Sequence, residues 1–188
     1  LGVFITSSAT MDGADSRFRE FVAGNGFDMV GAIRLPNDAF QKNAGTSVTA
    51  DILVFRKRKA GEVANGVNYI STTPVGEGTY EEKGEKRTKP IMINEYFAAR
   101  PEMMLGEMMT AFDAGSGGLY SGASQTLKAR SGLDLSQAIS EAIGKLPENI
   151  LGKVENSAVV KDNEQTTQKD GTLTVKDGKI YVAMSGVL

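Results

Sequence analysis

The chain has 188 residues, of which 40% are hydrophobic and 23% are charged, and its 21 basic and 23 acidic side chains give a formal net charge of −2. It contains no Cys and no His, which excludes disulfides, Cys/His metal sites and any nucleophilic catalysis that needs an imidazole. No apolar run approaches the ~20 residues of a membrane span, and the first residues lack the basic start of a secretory signal. We therefore expect a cytoplasmic protein with no membrane partner and no metal site.

Three apolar segments in the first 60 residues predict strands. Residues 2–6 form a nearly continuous apolar run, which is typical of a strand buried on both faces. Residues 29–35 and 48–55 form two more, and the short loop between them predicts an antiparallel hairpin. Because a helical segment separates the first two strands, we expect these to be parallel. The pattern predicts a mostly parallel sheet with an antiparallel strand at one end.

The segment between the first two strands predicts a short helix. Asp12 and Asp15 offer N-cap oxygens, and a Gly-Asn-Gly sequence follows as a stop signal. Phe18, Phe21 and Val22 are spaced as one apolar stripe, which we expect to face the core.

The pattern is weaker beyond residue 60. Residues 73–90 are rich in Gly, Glu and Lys and predict an exposed loop. Asn94 and Asp134 are placed to cap helices. A polar linker is expected over 153–170, and alternation around an Asp-Gly pair predicts a C-terminal hairpin.

The loop after the second strand carries residues suited to nucleic-acid contact. Phe40 can stack on a base, and its polar neighbours offer amide, cationic and hydroxyl groups to phosphates or base edges. These neighbours are Asn37, Lys42, Asn43 and Thr46. The residues alone leave a second interpretation open, in which Phe40 folds back onto the core and its neighbours are merely solvated.

The same segment resembles a known enzyme family. IRLPNDAF and NAGTSVTADILVFRKR (33–40 and 43–58) resemble the last strands of N6-adenine DNA methyltransferases, especially the methylase–helicase proteins of phages and mobile elements. The modification subunits of type I restriction systems are similar. GVFITSSATMD (2–12) resembles the strand after the catalytic Asn/Asp-Pro-Pro-Tyr/Phe motif, and INEYFAARPEMMLGEM (93–108) resembles a recurring segment of the phage and mobile-element proteins.

The resemblance implies a Rossmann-like fold that binds S-adenosylmethionine and methylates adenine in double-stranded DNA. By motif match, Phe40 corresponds to an aromatic residue near the flipped target base. The implied DNA-facing rim consists of Arg34, Asn37, Lys42, Asn43 and Thr46. Ser7 and Ser8 follow the first strand, where open α/β sheets bind ligands, and are weaker site candidates.

Two motifs of the family are absent from this sequence. None of the five prolines is adjacent to another, so there is no Asn/Asp-Pro-Pro-Tyr/Phe, and no Gly-rich turn follows a buried strand. We therefore interpret the chain as the C-terminal half of a methyltransferase domain, with no catalytic residue and no cofactor bound to this fragment alone. The parent protein would be bacterial and cytoplasmic.

The predicted organisation has four parts. Residues 1–60 belong to a partial, mixed Rossmann-like α/β sheet with an antiparallel hairpin, and 61–152 form an irregular and helical accessory region. Residues 153–170 are the linker, and 171–188 are the hairpin of a small α+β extension. A helicase domain in the same polypeptide and a homodimer through the first strand's exposed edge are possible partners.

Several alternatives stay open at this stage. The chain can instead be a non-catalytic DNA- or protein-binding scaffold of a larger methylase–helicase protein. The basic run at 56–59 can contact phosphate or be a solvated strand end. A methionine cluster at 103–109 can belong to the core or to a partner groove.

Overall fold

The computed structural model describes residues 1–115, 124–148, 150, 169–176 and 179–183. The chain divides into two compact units, Leu1–Leu151 and Gly152–Leu188. Residues 153–168 of the expected linker, the glycine-rich segment at 116–122 and the Asp-Gly turn at 177–178 lie outside the described residues.

A three-stranded sheet forms the first part of unit one. It consists of β1 (Gly2–Ser7), β2 (Phe27–Leu35) and β3 (Ala50–Lys57) in the order β1-β3-β2. The predicted β2–β3 hairpin is confirmed, but the mostly parallel sheet is wrong because both pairings are antiparallel. The first two strands run in the same direction without touching. A gap one strand wide separates β1 from β2, and β3 lies in that gap.

The first strand is an edge strand, so the expectation that it is buried on both faces is wrong. Val3, Phe4 and Ile5 are each more than half exposed. Among the described strands, β1 pairs with β3 alone, along one of its edges. The continuous apolar run therefore predicted the strand correctly but did not show whether its two faces are buried.

Two short helices, α1 (Ala9–Asp12) and α2 (Arg17–Gly24), connect β1 to β2. The second ends where the Gly-Asn-Gly signal predicts, yet its expected apolar stripe is wrong. Phe18 and Phe21 are exposed, whereas Arg19 is buried. The Arg19 guanidinium donates hydrogen bonds to three backbone carbonyls, those of Thr10, Gly13 and Ile70. An aromatic side chain cannot satisfy these acceptors, which explains the rotation of the helix.

The loop between β2 and β3 contains one helical turn, α3 (Gln41–Ala44). The region after β3 contains a long hairpin of β4 (Thr72–Glu82) and β5 (Glu85–Asn94), where the sequence predicted a loop. Its turn residues Lys83 and Gly84 both have positive φ, which matches the two-residue turn that joins twisted strands. The polar composition obscured these strands because most of their side chains are exposed.

The two predicted helix caps are confirmed. Asn94 accepts a hydrogen bond from the Tyr96 amide and begins α4 (Glu95–Ala99), which a 3₁₀ turn at Pro101–Met103 follows. Asp134 accepts one from the Gln137 amide and begins α5 (Leu135–Ile143).

Two further antiparallel strand pairs complete the described structure. A small antiparallel pair, β6 (Glu107–Thr110) and β7 (Gln125–Lys128), was not predicted. In unit two, β8 (Leu173–Lys176) and β9 (Lys179–Val182) form the predicted C-terminal hairpin. The fold is therefore mixed α/β, built from small antiparallel sheets and few helices.

The main core of unit one lies between the three-stranded sheet and the elements that follow it. Met29 and Leu53 contribute from the sheet, and Tyr96 and Phe97 contribute from α4. Met103 is buried in this cluster, and Met104 and Met108 pack against it. These three methionines therefore belong to the core, which was one of the two interpretations left open.

Candidate functional site

One end of the three-stranded sheet gathers most of the predicted site residues. Ser7 at the end of β1 and Leu35 at the end of β2 both pair with Ala50, the first residue of β3. The loop 36–49 therefore joins the end of β2 to the start of β3, and both of its ends lie beside the end of β1. This arrangement follows from the antiparallel register and could not be deduced from the parallel sheet expected from the sequence.

Hydrogen bonds from β7 hold both stems of this loop. The Asn37 amide donates to the Leu127 carbonyl at 2.8 Å, and the Leu127 amide donates to the Thr49 hydroxyl at 2.8 Å. The hydroxyl groups of Thr49 and Thr126 are 3.2 Å apart. Because these bonds fix the two ends of the loop, β7 is a support that sequence reasoning missed.

The predicted loop residues differ in their exposure. Lys42, Asn43 and Thr46 are exposed on or just after α3, while Asn37 and Phe40 are partly buried. Phe40 packs in part against the main core, as one of the two open interpretations expected, and keeps part of its ring at the surface. The loop thus presents one cation, an amide and a hydroxyl around a partly covered aromatic ring.

Ser7 and Ser8 lie next to the loop. Ser7 is exposed, and the Ser8 amide donates a 3.0 Å hydrogen bond to the Thr49 carbonyl. The two serines and the loop residues therefore share one end of the sheet. We call this surface the loop end; it consists of Ser7, Ser8, Asn37, Phe40, Lys42, Asn43 and Thr46.

Arg34 does not belong to the loop end, which corrects its expected position on a DNA-facing rim. Its side chain has no exposed surface. The guanidinium donates to both carboxylate oxygens of Asp51 at 2.7 and 2.8 Å, and to both of Asp12 at 2.6 and 2.9 Å. The Phe97 ring covers it, with the guanidinium carbon 4.2 Å from the ring centre. All its donors are engaged inside the protein.

The two carboxylates stabilise the charged form of the Arg34 guanidinium. Burial disfavours the guanidinium charge, but Asp51 and Asp12 outweigh it and raise the pKa of Arg34 above its ordinary value. The Asn94 amide also donates to Asp12 at 2.9 Å. The cluster connects α1, β2, β3 and β5, so we assign it to the architecture and not to ligand binding.

A signal for this cluster was present in the sequence. Arg34 and Asp51 are single charges of opposite sign inside the apolar runs of two strands predicted to form a hairpin. Directly opposite residues of such a hairpin can pair, and Arg34 is opposite Asp51 in the register.

The basic run at 56–59 is partly neutralised at the other end of the sheet. Arg56 contacts Asp28 and Glu62, and Arg58 contacts Asp28. The Lys57 ammonium donates to the Asn25 carbonyl. These contacts compete with phosphate binding, so the structure favours a structural role for the run.

Two cavities also lie at that opposite end. A cavity of about 320 Å³ is lined by Arg56, Asn65 and Pro147, among others, and a smaller one of about 140 Å³ by Arg58 and Tyr69. Asp28 and Met29 line both. They are separated from the loop end by the length of the sheet.

Among the described residues, the turn from β1 into α1 does not fit the cofactor that the resemblance implies. β1 leads into α1 through Ser8 without a glycine, whereas a Gly-rich strand-to-helix turn is the usual cradle of a nucleotide-type cofactor.

In the described residues, no group of three or more carboxylates is arranged to hold a metal ion. None of the helices in the described part is long and apolar enough to cross a membrane.

Comparison with protein-family models, with curated proteins and with solved structures found no match to this chain.

Proposed function

We propose that this chain is the part of an S-adenosylmethionine-dependent N6-adenine DNA methyltransferase that contacts the DNA and the target base. The observation that carries the proposal is the gathering of Ser7, Ser8 and the residues around Phe40 at one end of the sheet. The order of elements supports the proposal: a strand that ends in serines is followed by two short helices and then by a β-hairpin, where the resemblance implies a strand, a helix and a hairpin.

In this proposal the loop end binds DNA and the buried cluster does not. Lys42 contacts a backbone phosphate, and Asn43 and Thr46 hydrogen-bond to phosphates or base edges. The exposed part of the Phe40 ring contacts the flipped adenine. Arg34 instead holds the hairpin in its register, so it acts on the loop only through the strands from which the loop emerges.

The catalytic motif and the cofactor cradle must come from other residues of a longer polypeptide, because this sequence contains neither. A Gly-rich turn and an Asn/Asp-Pro-Pro-Tyr/Phe motif within roughly 150 residues before Leu1, about one domain length, would support the enzyme. Their absence from the parent sequence would refute it.

The test within this chain is Phe40→Ala in a parent polypeptide that methylates DNA. Loss of one base–aromatic contact, worth about 1–3 kcal/mol, should lower kcat/KM for duplex DNA by roughly 5- to 150-fold. The affinity for S-adenosylmethionine should not change. Methyl transfer to duplex DNA measures the first quantity, and calorimetry with S-adenosylmethionine measures the second.

The matched control is Phe18→Ala, because Phe18 is an exposed aromatic residue on α2. It should leave methyl transfer unchanged. Equal losses of DNA use and cofactor affinity in Phe40→Ala, or unfolding of that variant, would assign Phe40 to the core. A parent polypeptide with both motifs but no methyl transfer would contradict the proposed function itself.

A second candidate is a non-catalytic scaffold module that binds a neighbouring protein or domain. The exposed apolar side chains of β1 and α2 favour it. The presence or absence of the two catalytic motifs in the parent sequence distinguishes the two candidates.

A further inference from the structure

A buried carboxylate lies between the two cavities at the end of the sheet opposite the loop end. Asp28 lines both cavities, and its side chain is only 7% exposed. The Arg56 Nη2 and the Asn65 amide lie 3.4 and 3.5 Å from its Oδ2, and the Arg58 Nε lies 3.3 Å from its Oδ1. These three distances exceed the about 2.7–3.2 Å of ordinary N–H···O hydrogen bonds. Asp28 is therefore surrounded by donors that it does not bind closely.

The Arg34 cluster shows how a closed group of buried charges is built in the same protein. Its four contacts with Asp51 and Asp12 measure 2.6–2.9 Å. Around Asp28, by contrast, the buried Arg58 Nε has no hydrogen-bond partner among the described residues. Because a buried polar group without a partner is destabilising, the groups around Asp28 can still gain hydrogen bonds from a ligand.

The larger cavity, of about 320 Å³, has mostly apolar walls. Val30 contributes from β2, Val67 from the segment before β4, and Pro147 and Ile150 from the segment after α5. The register of β2 with β3 shifts at Val30, and such bulges often redirect side chains beside a binding site. A cavity of this volume with apolar walls and few polar groups is typical of a site for a small molecule.

The charges beside this cavity balance. Arg56 and Arg58 contact Asp28, and Arg56 also contacts Glu62, so two cations face two carboxylates. A net charge on a ligand would therefore be left without a partner. The Asp28 Oδ2 and the Arg56 Nη2 lie side by side, 3.4 Å apart, and offer an acceptor next to a donor. Their complement is a neutral molecule with an N–H donor next to an acceptor.

We propose that the larger cavity binds a nucleobase. A nucleobase is neutral and planar, and its pairing edge carries an N–H donor next to an acceptor, which proteins read by hydrogen bonds while apolar side chains cover the ring. The N–H group donates to the Asp28 Oδ2, and the neighbouring acceptor receives a hydrogen bond from Arg56. Since Arg56 and Arg58 both contact carboxylates, neither is left for a phosphate, which favours a free nucleoside. The inference does not depend on the proposed methyltransferase function.

Calorimetry with the full chain tests the proposal. The probes are adenosine, guanosine, cytidine and uridine, and we expect saturable binding of at least one of them. The analogue of that nucleoside with methylated N–H groups on its pairing edge keeps the ring but cannot donate to Asp28. This analogue should bind at least roughly tenfold more weakly.

Two variants locate the site. Val30→Phe fills the cavity without removing a polar group, and Asp28→Asn removes the carboxylate; each should weaken binding at least roughly tenfold. The matched control is Val63→Phe, because Val63 is 84% exposed in the loop after β3 and lines neither cavity. It should bind as the wild type does. Circular dichroism verifies folding, and Val30→Phe with the methylated probe keeps the test decisive if Asp28→Asn unfolds.

A second titration identifies the source of the base. A single-stranded oligonucleotide of the same base that binds more tightly than the nucleoside would assign the base to a nucleic acid. Equal or weaker binding would assign it to a free nucleoside.

Three results would overturn the proposal. The first is the absence of saturable binding by all four nucleosides, and the second is equal affinity for a nucleoside and its methylated analogue, which would mean apolar adhesion alone. The third is binding that Phe40→Ala abolishes and Val30→Phe leaves unchanged, because the nucleoside would then lie at the loop end. None of these results involves methyl transfer, so each can be distinguished from failure of the proposed function.

Discussion

At the scale of single residues, the structure assigns the charged side chains differently from the sequence. Arg34 and Arg19 look like surface residues in a sequence, and both are buried. Each is surrounded by acceptors: two carboxylates for Arg34 and three backbone carbonyls for Arg19. A guanidinium can be buried when its donors are all satisfied, and sequence alone does not show where those acceptors come together.

The Arg34 cluster can be tested by removing its cation. Arg34→Leu leaves Asp51 and Asp12 buried without their partner, and we expect the free energy of unfolding to fall by about 3–5 kcal/mol at neutral pH. Burial raises the pKa of the Asp51 carboxyl in the folded state and no cation would then oppose it, so the loss should shrink as the pH falls toward about 4, where an unfolded carboxyl is protonated. Urea unfolding at several pH values measures both effects.

The control for this variant is Arg17→Leu, since Arg17 forms an ion pair with Asp15 that is exposed to solvent. Its unfolding midpoint should equal that of the wild type. A loss in Arg34→Leu that is small, or that does not change with pH, would show that the cluster is not the buried charged unit described above.

A second residue-scale prediction concerns Tyr69. Burial, together with the nearby charge of Asp28, raises the pKa of Tyr69 to about 12. An unfolded tyrosine ionises near pH 10, so the folded state binds the proton more tightly. Ionisation of Tyr69 should therefore leave the free energy of unfolding unchanged below about pH 10. As the pH rises from 10 to 12, it should lower that free energy.

Ultraviolet difference spectra of the wild type and Tyr69→Phe measure this ionisation. The variant should also lose less stability over the same pH interval. Ionisation of Tyr69 at its ordinary pH would show that the phenol is accessible to water.

At the scale of elements, local signals predicted where helices and strands begin and end, and side-chain surroundings were harder to predict. The caps at Asn94 and Asp134 were predicted because a cap needs only neighbouring residues. The β4–β5 hairpin was missed because its side chains are largely polar. The orientation of α2 was wrong because distant carbonyls decide it.

The β6–β7 pair depends on a close approach at Gly106. A Cβ atom there would collide with the carbonyl of Lys128, which is backbone and cannot move aside easily. We expect Gly106→Ala to lower the free energy of unfolding by about 1–3 kcal/mol. Thermal unfolding measures the change.

Gly76→Ala is the matched control, because a Cβ at Gly76 meets no atom within 4 Å. It should leave the melting temperature nearly unchanged. Equal effects of the two substitutions would mean that the cost is general to glycines in these strands and does not come from the contact with Lys128.

At the scale of the whole molecule, the chain forms two units, Leu1–Leu151 and Gly152–Leu188. The first unit contains the core and the loop end, while the described part of the second contains the β8–β9 hairpin. Because all residues of the main core cluster belong to the first unit, we expect that unit to fold without the second.

A chain ending at Leu151 tests this independence. We expect it to unfold cooperatively, with a melting temperature within about 2–4 °C of the full chain, which corresponds to 1 kcal/mol for a domain of this size. Circular dichroism follows the transition. Loss of the cooperative transition would show that the C-terminal segment is part of the first folding unit.

The sequence by itself determined the class and many of the elements of this protein. Apolar runs, caps and turn residues predicted β1, the β2–β3 hairpin, α4, α5 and the C-terminal hairpin, because these depend on local patterns. The missing His and Cys excluded whole classes of chemistry. The candidate residues Asn37, Phe40, Lys42, Asn43 and Thr46 share one loop, as their closeness in sequence requires, whereas Arg34 lies in the interior.

Only the tertiary structure decided the position of β3 between β1 and β2. It also decided which charges are buried and that β7 holds the stems of the loop. These features come from contacts between residues far apart in the chain, and no local pattern specifies which distant strand or carbonyl will be the neighbour. An apolar strand is identified by its own residues, but whether it is interior or exposed depends on what lies beside it.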